Sequence, residues 1–331
     1  MKYFLTGATG FIGAQVARQL AQAGHQVVAV VRSPDKAQDL VKLGAAVHKG
    51  DVTDKESMRL PMTGVDGVFH IAGWYKIGAR DKRAGAQINV EGTRNVLELM
   101  RELNIPKGVY TSTLAINSDT HGQLVDETYR YDGPHLSEYD RTKAAAHHLA
   151  EQFIAGGLPL VVVMPGLVYG PGDTSSVRTA FIQYLQRKLP IVPEQTAFSW
   201  AHVDDIAHGH ILAMEKGVPG QSYIIAGPTS TFEDALKLAE QITGVPMPKL
   251  RATPGLLKAM SGLMGYVERA VPVPEDYTAE YLRINAGTTY IGDNAKARRE
   301  LGYQPRPLKQ GLAETLEHEM RLLGMPVPAR T

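Results

Sequence analysis

Tyr139 and Lys143 stand four residues apart in Tyr139-Asp140-Arg141-Thr142-Lys143, a spacing that puts a phenol and an ammonium on one face of a helix. A free tyrosine titrates near ~10, and a neighbouring cation stabilises its phenolate, so such a pair can exchange a proton with a substrate oxygen. The same pair arises by chance on many helix surfaces, and position has to support it. Thr113 lies 26 residues earlier, at the end of the apolar run that continues into Thr111-Ser112-Thr113. Its hydroxyl can donate to a substrate oxygen, with Ser112 as the rival donor and simple strand capping as the plainer role. Asn89, on a helical stripe expected to pack nearby, could hold a water or the lysine, or merely face solvent.

A second set of residues suits a phosphate. Thr6-Gly7-Ala8-Thr9-Gly10-Phe11-Ile12-Gly13 follows a strand-like run and opens a helical one, so the glycine pattern has the context that a bare match lacks. Glycines allow a tight turn and close backbone approach, and the helix start offers N–H groups and a partial positive charge to a pyrophosphate. Gly7, Thr9, Gly10, Phe11, Ile12 and Gly13 are therefore candidates for a dinucleotide. After the second strand come Arg32-Ser33-Pro34-Asp35-Lys36, with no acid in the slot that would bond a ribose 2'-hydroxyl. Arg32, with Lys36 a turn later, can hold a 2'-phosphate, which favours NADP(H) and leaves NAD(H) open. Asp51-Val52 and Ala72-Gly73 follow the third and fourth strands, where strand ends would face adenine and ribose; Asp51 could instead be a turn residue.

These groups need a scaffold that brings strand ends together. Apolar runs at Tyr3-Leu5, Val27-Val31, Ala46-Val47, Val68-Ile71, Val109-Tyr110 and Leu160-Met164 alternate with helical stripes such as Ile12, Val16 and Leu20. Alternation of this kind argues for a doubly wound parallel α/β sheet with its ligand crevice at the carboxyl ends of the strands. From Pro165 onward prolines and glycines cluster and helical patterns such as Phe232-Thr243 and Leu308-Leu323 dominate. The organisation expected is a dinucleotide-binding domain over 1–166, rejoined by 197–226, and a smaller, mostly helical substrate lobe within 167–331.

The composition removes other classes. The chain has 331 residues, with 35 Lys and Arg against 34 Asp and Glu, so no net charge draws it to nucleic acid or an anionic surface. It has no cysteine, which excludes disulfides, thiolate metal sites and a cysteine nucleophile. No metal site is expected, and the cytoplasm is the default location. The greasy stretch Gly255–Val271 is interrupted by Lys258, Ser261, Glu268 and Arg269 and falls short of the ~20 residues a bilayer span needs. It reads as a substrate-lobe helix rather than a membrane-surface anchor, and no membrane partner is expected.

Taken together, the glycine loop, Asp51, Ala72-Gly73, Asn89-Val90-Glu91-Gly92-Thr93, Thr113, Tyr139, Lys143, Pro165 and Val168-Tyr169-Gly170-Pro171 resemble the extended short-chain dehydrogenase/reductases. His202-Val203-Asp204-Asp205 and Ala297 to Tyr303 extend the resemblance along nearly the whole chain. It implies a Rossmann sheet and assigns Tyr139 as acid/base, Lys143 as ribose ligand and modulator of the phenol, Thr113 as substrate-orienting hydroxyl and Asn89 as support. Thr111, Pro165 and Val168 join the cofactor side. The resemblance also implies homodimers paired through Ile88–Leu103 and Tyr139–Ile154.

Within that family two chemistries compete: reduction of an aldehyde or ketone, as in the dihydroflavonol-reductase-like branch, and epimerisation or dehydration of a nucleotide sugar. Related nucleotide-sugar enzymes carry an Asn where this chain has Leu167, an Arg-Asp pair where it has Phe198-Ser199, and an Arg near Tyr290 to Asp293. Those diphosphate ligands are missing. Trp74, Tyr75, Leu114, Tyr169 and Trp200 suggest instead a pocket for a less polar carbonyl or alcohol, unless these side chains are core between the lobes. A sensor that binds dinucleotide without catalysis is the reading from another class, and the Tyr and Lys argue against it.

Overall fold

The structure is a computed structural model that describes residues 1–274 and 277–328. Seven parallel strands form the main sheet: β1 (Lys2–Thr6), β2 (Gln26–Val31), β3 (Ala46–Lys49), β4 (Gly67–His70), β5 (Gly108–Thr111), β6 (Leu160–Pro165) and, further along the chain, Ser222–Ile225. Their spatial order is β3-β2-β1-β4-β5-β6 followed by the Ser222–Ile225 strand, so the winding reverses between β1 and β4. That reversal opens a crevice at the strands' carboxyl ends.

Side chains alternate between the sheet's two faces because strand residues point up and down in turn. Leu5, Val27, Ala29, Val31, Val161 and Val163 pack on one side against helices α1 (Phe11–Gln22) and Val203–Lys216. Phe4, Val28, Val30, Leu160, Val162 and Met164 pack on the other against α2 (Lys55–Met62), α3 (Gly92–Glu102) and α4 (Glu138–Ala155). Ser137 caps α4, its hydroxyl accepting from the Asp140 N–H at 3.0 Å. The helical stripe expected from Ile88 is not uniform: Ala86–Glu91 is a π-helical turn that leads into α3. A bulge of this type redirects side chains within a helix and is frequent at functional sites.

The second lobe is built on a smaller sheet. Ala197–His202 pairs with Leu167–Tyr169, Thr229–Thr231 and Thr289–Tyr290. The return expected over 197–226 therefore starts later: Ala197–His202 belongs to this sheet, and the chain rejoins the main one with Val203–Lys216 and Ser222–Ile225. Tyr169, Phe181, Tyr184, Trp200, Leu236, Leu312 and Leu316 form the lobe's own core. Arg306 grips the Asp205 carboxylate with three N–H contacts of 2.9–3.1 Å, and Arg18 reaches Asp204 at 2.7 Å, which fastens the lobe and α1 to one helix start. No helix among the described residues is long and apolar enough to cross a membrane.

Candidate active site

The glycine loop joins β1 to α1 and shows why its glycines are needed. Gly7 has φ +70°, and a Cβ there would lie 2.7 Å from the Ala72 nitrogen. A Cβ on Gly13 would fall 2.1 Å from the Gly7 oxygen. The loop is thus pressed against the Ala72-Gly73 turn and against its own helix. Gly10, at the N-cap of α1, brings no side chain to accept the first-turn N–H groups, and that end of the helix is left to an anion. The residues present fit a dinucleotide pyrophosphate.

At the other end of the crevice, a cleft of about 430 Å³ is lined by Arg32, Lys49, Gly50, Asp51, Asp54 and Ser57. Strand pairing sets Lys49 beside Val31, next to Arg32. Lys36, expected as the second cation, ends a short 3₁₀ turn and is not among the residues that line this cleft, whereas Lys49 is. The Asp51 carboxylate accepts from the Thr53 N–H and hydroxyl, both at 2.9 Å, so it orders its own turn as well as facing the cleft. Val52 is turned inward, packed against Gly92.

Tyr139 sits in the first turn of α4, and Thr113 caps the short turn after β5, its hydroxyl accepting from the Ala115 N–H at 3.2 Å. Burial pushes the Tyr139 phenol up to about 12, partly countered by its hydrogen bond with Thr113. The ammonium of Lys143 is directed away from it: Nζ donates to the Thr111 carbonyl at 2.7 Å and to the Tyr110 hydroxyl at 3.3 Å, 4.9 Å above the Tyr110 ring. Burial lowers Lys143 to about 7. The expectation that the lysine depresses the phenol therefore does not hold in this arrangement, because the cation is spent on β5 and desolvation dominates. Tyr139 is a neutral phenol, which suits an acid.

Behind Lys143 lies a buried polar chain. Thr6 Oγ1 accepts from the Ile71 and Ala72 N–H groups at 3.1 and 3.2 Å, which directs its own proton to His70 Nδ1 at 2.8 Å. His70 then donates through Nε2 to Thr93 at 3.0 Å, and its ring stacks on Tyr110 with centroids 5.6 Å apart. Burial, with Lys143 adding repulsion, holds His70 down at about 3, so it is neutral. This chain ties the glycine-loop strand to the floor beneath Lys143. Only a buried polar residue inside the apolar run Val68-Phe69-His70-Ile71 signals it in the sequence.

Asn89, in the π-helical turn, accepts from the Trp74 N–H at 2.7 Å and donates to the Trp74 carbonyl and to Thr142 at 3.0 and 2.9 Å. It therefore clamps the loop after β4 to α4 and contacts neither Lys143 nor Tyr139.

Residues 3–226 match the NAD dependent epimerase/dehydratase family. The chain belongs to that family. Among its curated relatives, a putative dihydroflavonol 4-reductase from Synechocystis sp. is 31% identical, the alignment covering 95% of this chain and 93% of that protein. A 3-beta-hydroxysteroid dehydrogenase from Mycolicibacterium neoaurum is 29% identical over 96% of this chain and 91% of its own length. The crystal structure of gox2253 superposes with a TM-score of 0.84 at 28% identity, covering 98% of this chain and 99% of the other. UDP-glucose 4-epimerase from Thermotoga maritima shares the fold, with a TM-score of 0.78 at 23% identity over 98% of this chain and all of the other.

In this extended short-chain dehydrogenase/reductase the substrate side differs from the sequence expectation. Tyr169 and Trp200 are 1% and 0% exposed, part of the aromatic core with Phe181 and Phe198, and Trp200 donates from Nε1 to the Ser230 carbonyl at 3.0 Å. They stabilise the lobe as part of its core, packed with Tyr184, Leu236, Leu312 and Leu316. Leu114 is likewise buried, against Gly292. The Trp74 ring packs on Gly85 and Thr142. Tyr75 remains at the surface, its hydroxyl 3.0 Å from Thr174, bridging the loop after β4 to the second lobe. Pro165 closes β6, Val168 lies between the lobes, and the Thr111 hydroxyl is 2.8 Å from His210, so the backbone of Thr111, not its side chain, faces the site.

Phe198 and Tyr290 stack with centroids 6.1 Å apart and an interplanar angle of 1°, and the Tyr290 hydroxyl donates to the Asp140 carboxyl at 3.0 Å. Glu280, also buried, accepts from the Gly78 and Glu138 N–H groups at 2.7 and 2.6 Å, pinning the loop after β4 to the start of α4. Among the described residues no cluster of metal-ligating side chains occurs.

Proposed function

We propose that this chain is an NADP(H)-dependent oxidoreductase that reversibly reduces a small or medium, weakly polar aldehyde or ketone to an alcohol. The arrangement that carries this is Tyr139 in the first turn of α4 with Thr113 at the end of β5 beside it, at the carboxyl edge of the sheet and one helical turn from Lys143. Thr113 and Tyr139 together hold a carbonyl oxygen, and Tyr139 gives it a proton as negative charge develops there. When bound, the reduced dinucleotide supplies hydride to the carbonyl carbon. Lys143, one turn along the same helix, is the group we assign to a ribose hydroxyl rather than to the phenol.

Arg32 and Lys49, which both line the cleft at the adenine end, suit a 2'-phosphate. The Phe198–Tyr290 stack and its bond to Asp140 occupy the positions where nucleotide-sugar enzymes would place their diphosphate ligands, which favours reduction over epimerisation. The names of the relatives agree: a dihydroflavonol reductase, a hydroxysteroid dehydrogenase and a 2-alkyl-3-oxoalkanoate reductase all handle carbonyl or alcohol groups on largely apolar skeletons. The α3 and α4 faces, where Arg101 lies over the Phe153 ring at 5.3 Å, are the surface through which we expect a homodimer to form.

The test compares wild type with Tyr139→Phe in NADPH oxidation against a panel of aldehydes and ketones, with NADPH and NADH titrated in parallel. Turnover should fall by roughly 10²- to 10⁴-fold in the variant while its NADPH affinity is kept, and NADPH should bind more tightly than NADH. Undiminished turnover in the variant refutes the assignment of Tyr139.

A further inference from the structure

Three segments far apart in the chain meet at one buried carboxylate. Glu280 lies in α5 (Ala279–Ile284) of the second lobe and is 7% exposed. Its Oε1 accepts from the Glu138 N–H at 2.6 Å and its Oε2 from the Gly78 N–H at 2.7 Å, with Lys82 Nζ 3.4 Å from Oε1. Burying a carboxylate is costly, and one whose two oxygens are taken by backbone N–H groups of two other segments fixes those segments against each other. Glu138 opens α4 and Tyr139 follows it. The Ser137 hydroxyl accepts from the Asp140 N–H at 3.0 Å, so the bonds at Glu138 and Asp140 bracket Tyr139 on both sides. The first N–H groups of a helix have no partner within it, and here one partner comes from the other lobe. One turn along α5, the Arg283 guanidinium donates to the Leu136 carbonyl at 3.1 Å and holds the chain just before α4.

The other oxygen of Glu280 anchors the loop after β4. A Cβ on Gly73, near the start of that loop, would lie 4.0 Å from Lys143 Nζ, and Asn89 fixes the loop at Trp74. Over residues 73–81 it makes no backbone–backbone hydrogen bond among the described residues. Gly78 has φ +72°, and a Cβ there would collide with the Thr278 hydroxyl, so the loop approaches α5 as glycine allows. The Tyr75–Thr174 bridge lies at the surface, which leaves the Glu280 bond as the buried anchor beyond Trp74. The helix Pro254–Ala270, expected in the substrate lobe, holds α5 in turn. Its Ser261 hydroxyl donates to the Ala279 carbonyl at 2.8 Å, its Glu268 carboxylate accepts from the Ala279 N–H at 3.1 Å, and Leu257 packs with Leu282 and Ala286.

We propose that Glu280 is a positioning residue: it latches the first turn of α4 and the loop after β4 to the second lobe in one arrangement, and so sets the place from which Tyr139 meets a substrate oxygen. It touches neither the phenol nor the cofactor residues and acts through the backbone of Glu138 and Gly78. The consequence for turnover rests on the reductase assignment; the latch itself does not. Alanine at 280 leaves both N–H groups without their acceptor. Glutamine keeps one acceptor oxygen and turns an amide NH2 toward the other N–H, so it restores part of the latch. Gly78→Ala displaces the loop and leaves the bond to Glu138 in place.

The experiment is amide hydrogen exchange read by mass spectrometry on the full chain, followed by kinetics. In Glu280→Ala, exchange over 136–143 and over 74–82 should quicken on the order of tenfold while the strands of the main sheet keep their protection. Glu280→Gln should fall between wild type and Glu280→Ala, and Gly78→Ala should quicken 74–82 alone. These two variants carry the test if Glu280→Ala does not fold. With the aldehyde or ketone of the panel above that wild type turns over fastest, kcat of Glu280→Ala should drop roughly 10- to 10²-fold at unchanged NADPH affinity, with part of it recovered in Glu280→Gln. Unchanged exchange in either segment overturns the latch, as does quickening spread evenly through the main sheet. Faster exchange with full kcat overturns the positioning of Tyr139. Because exchange is read without turnover, a wild type inactive toward every carbonyl would count against the reductase assignment, and the exchange result would still decide the latch.

Discussion

Lys143 shows how one residue can be costly to the fold and useful to the site. Its ammonium is buried, and the Thr111 carbonyl and the Tyr110 ring and hydroxyl offset only part of its lost hydration. Burial brings it to about 7, whereas an unfolded lysine titrates near ~10.4. Between about pH 7 and 10 the unfolded chain therefore binds the extra proton, so stability rises with pH through that window and the penalty is fully present below it. Lys143→Met should melt above wild type at pH 6, with the gap closing toward pH 10; thermal unfolding across that range checks it, and a gap that is constant with pH would refute a buried charge. The same residue explains why the sequence argument was half right about Tyr139. Spacing placed the pair on one helix face, but where the ammonium points was decided by acceptors on β5, a strand distant in sequence.

At the scale of elements, the crevice depends on two backbone devices. The glycine loop is one. In Gly13→Ala the new Cβ would meet the Gly7 oxygen and carbon at 2.1 and 2.7 Å, both backbone, so the loop must shift. Gly10→Ala meets the Gly7 oxygen alone at 3.2 Å. NADPH affinity should fall by roughly 10² or more in the first variant and much less in the second, as read by fluorescence titration; equal losses would mean that loop shape is not what binds. The glycines' spacing was legible because only backbone geometry is at stake. The π-helical turn at Ala86–Glu91 was not. It depends on Asn89 finding both polar groups of Trp74 and the Thr142 hydroxyl at once, a tertiary match that no helical period encodes.

Across the whole molecule, the two lobes meet through a carboxyl that would ionise readily in water. Burial pushes Asp140 up to about 7, with Ser137 and Tyr290 acting against the rise. A folded value above the unfolded ~3.9 means that stability is fully present below about pH 4 and is lost as pH rises toward 7. Wild type should therefore lose more melting temperature than Asp140→Asn between pH 4 and pH 8. Identical losses would show that the carboxyl titrates normally between the lobes.

The sequence by itself determined the parallel sheet, the glycine loop and the placing of Tyr139 and Lys143 one turn apart on a single helix, because these follow from periodicity and from spacings within one strand or one helix. Only the tertiary structure decided that Tyr169 and Trp200 are core while Tyr75 stays at the surface, since burial depends on which lobe closes over a side chain. It also decided that Lys49 lines the same cleft as Arg32, because strand register sets Lys49 opposite Val31. The helix Pro254–Ala270 has the same origin: the apolar pattern foretells a helix, but only packing reveals that Leu257 is covered while Leu256, Met260, Leu263 and Tyr266 are not.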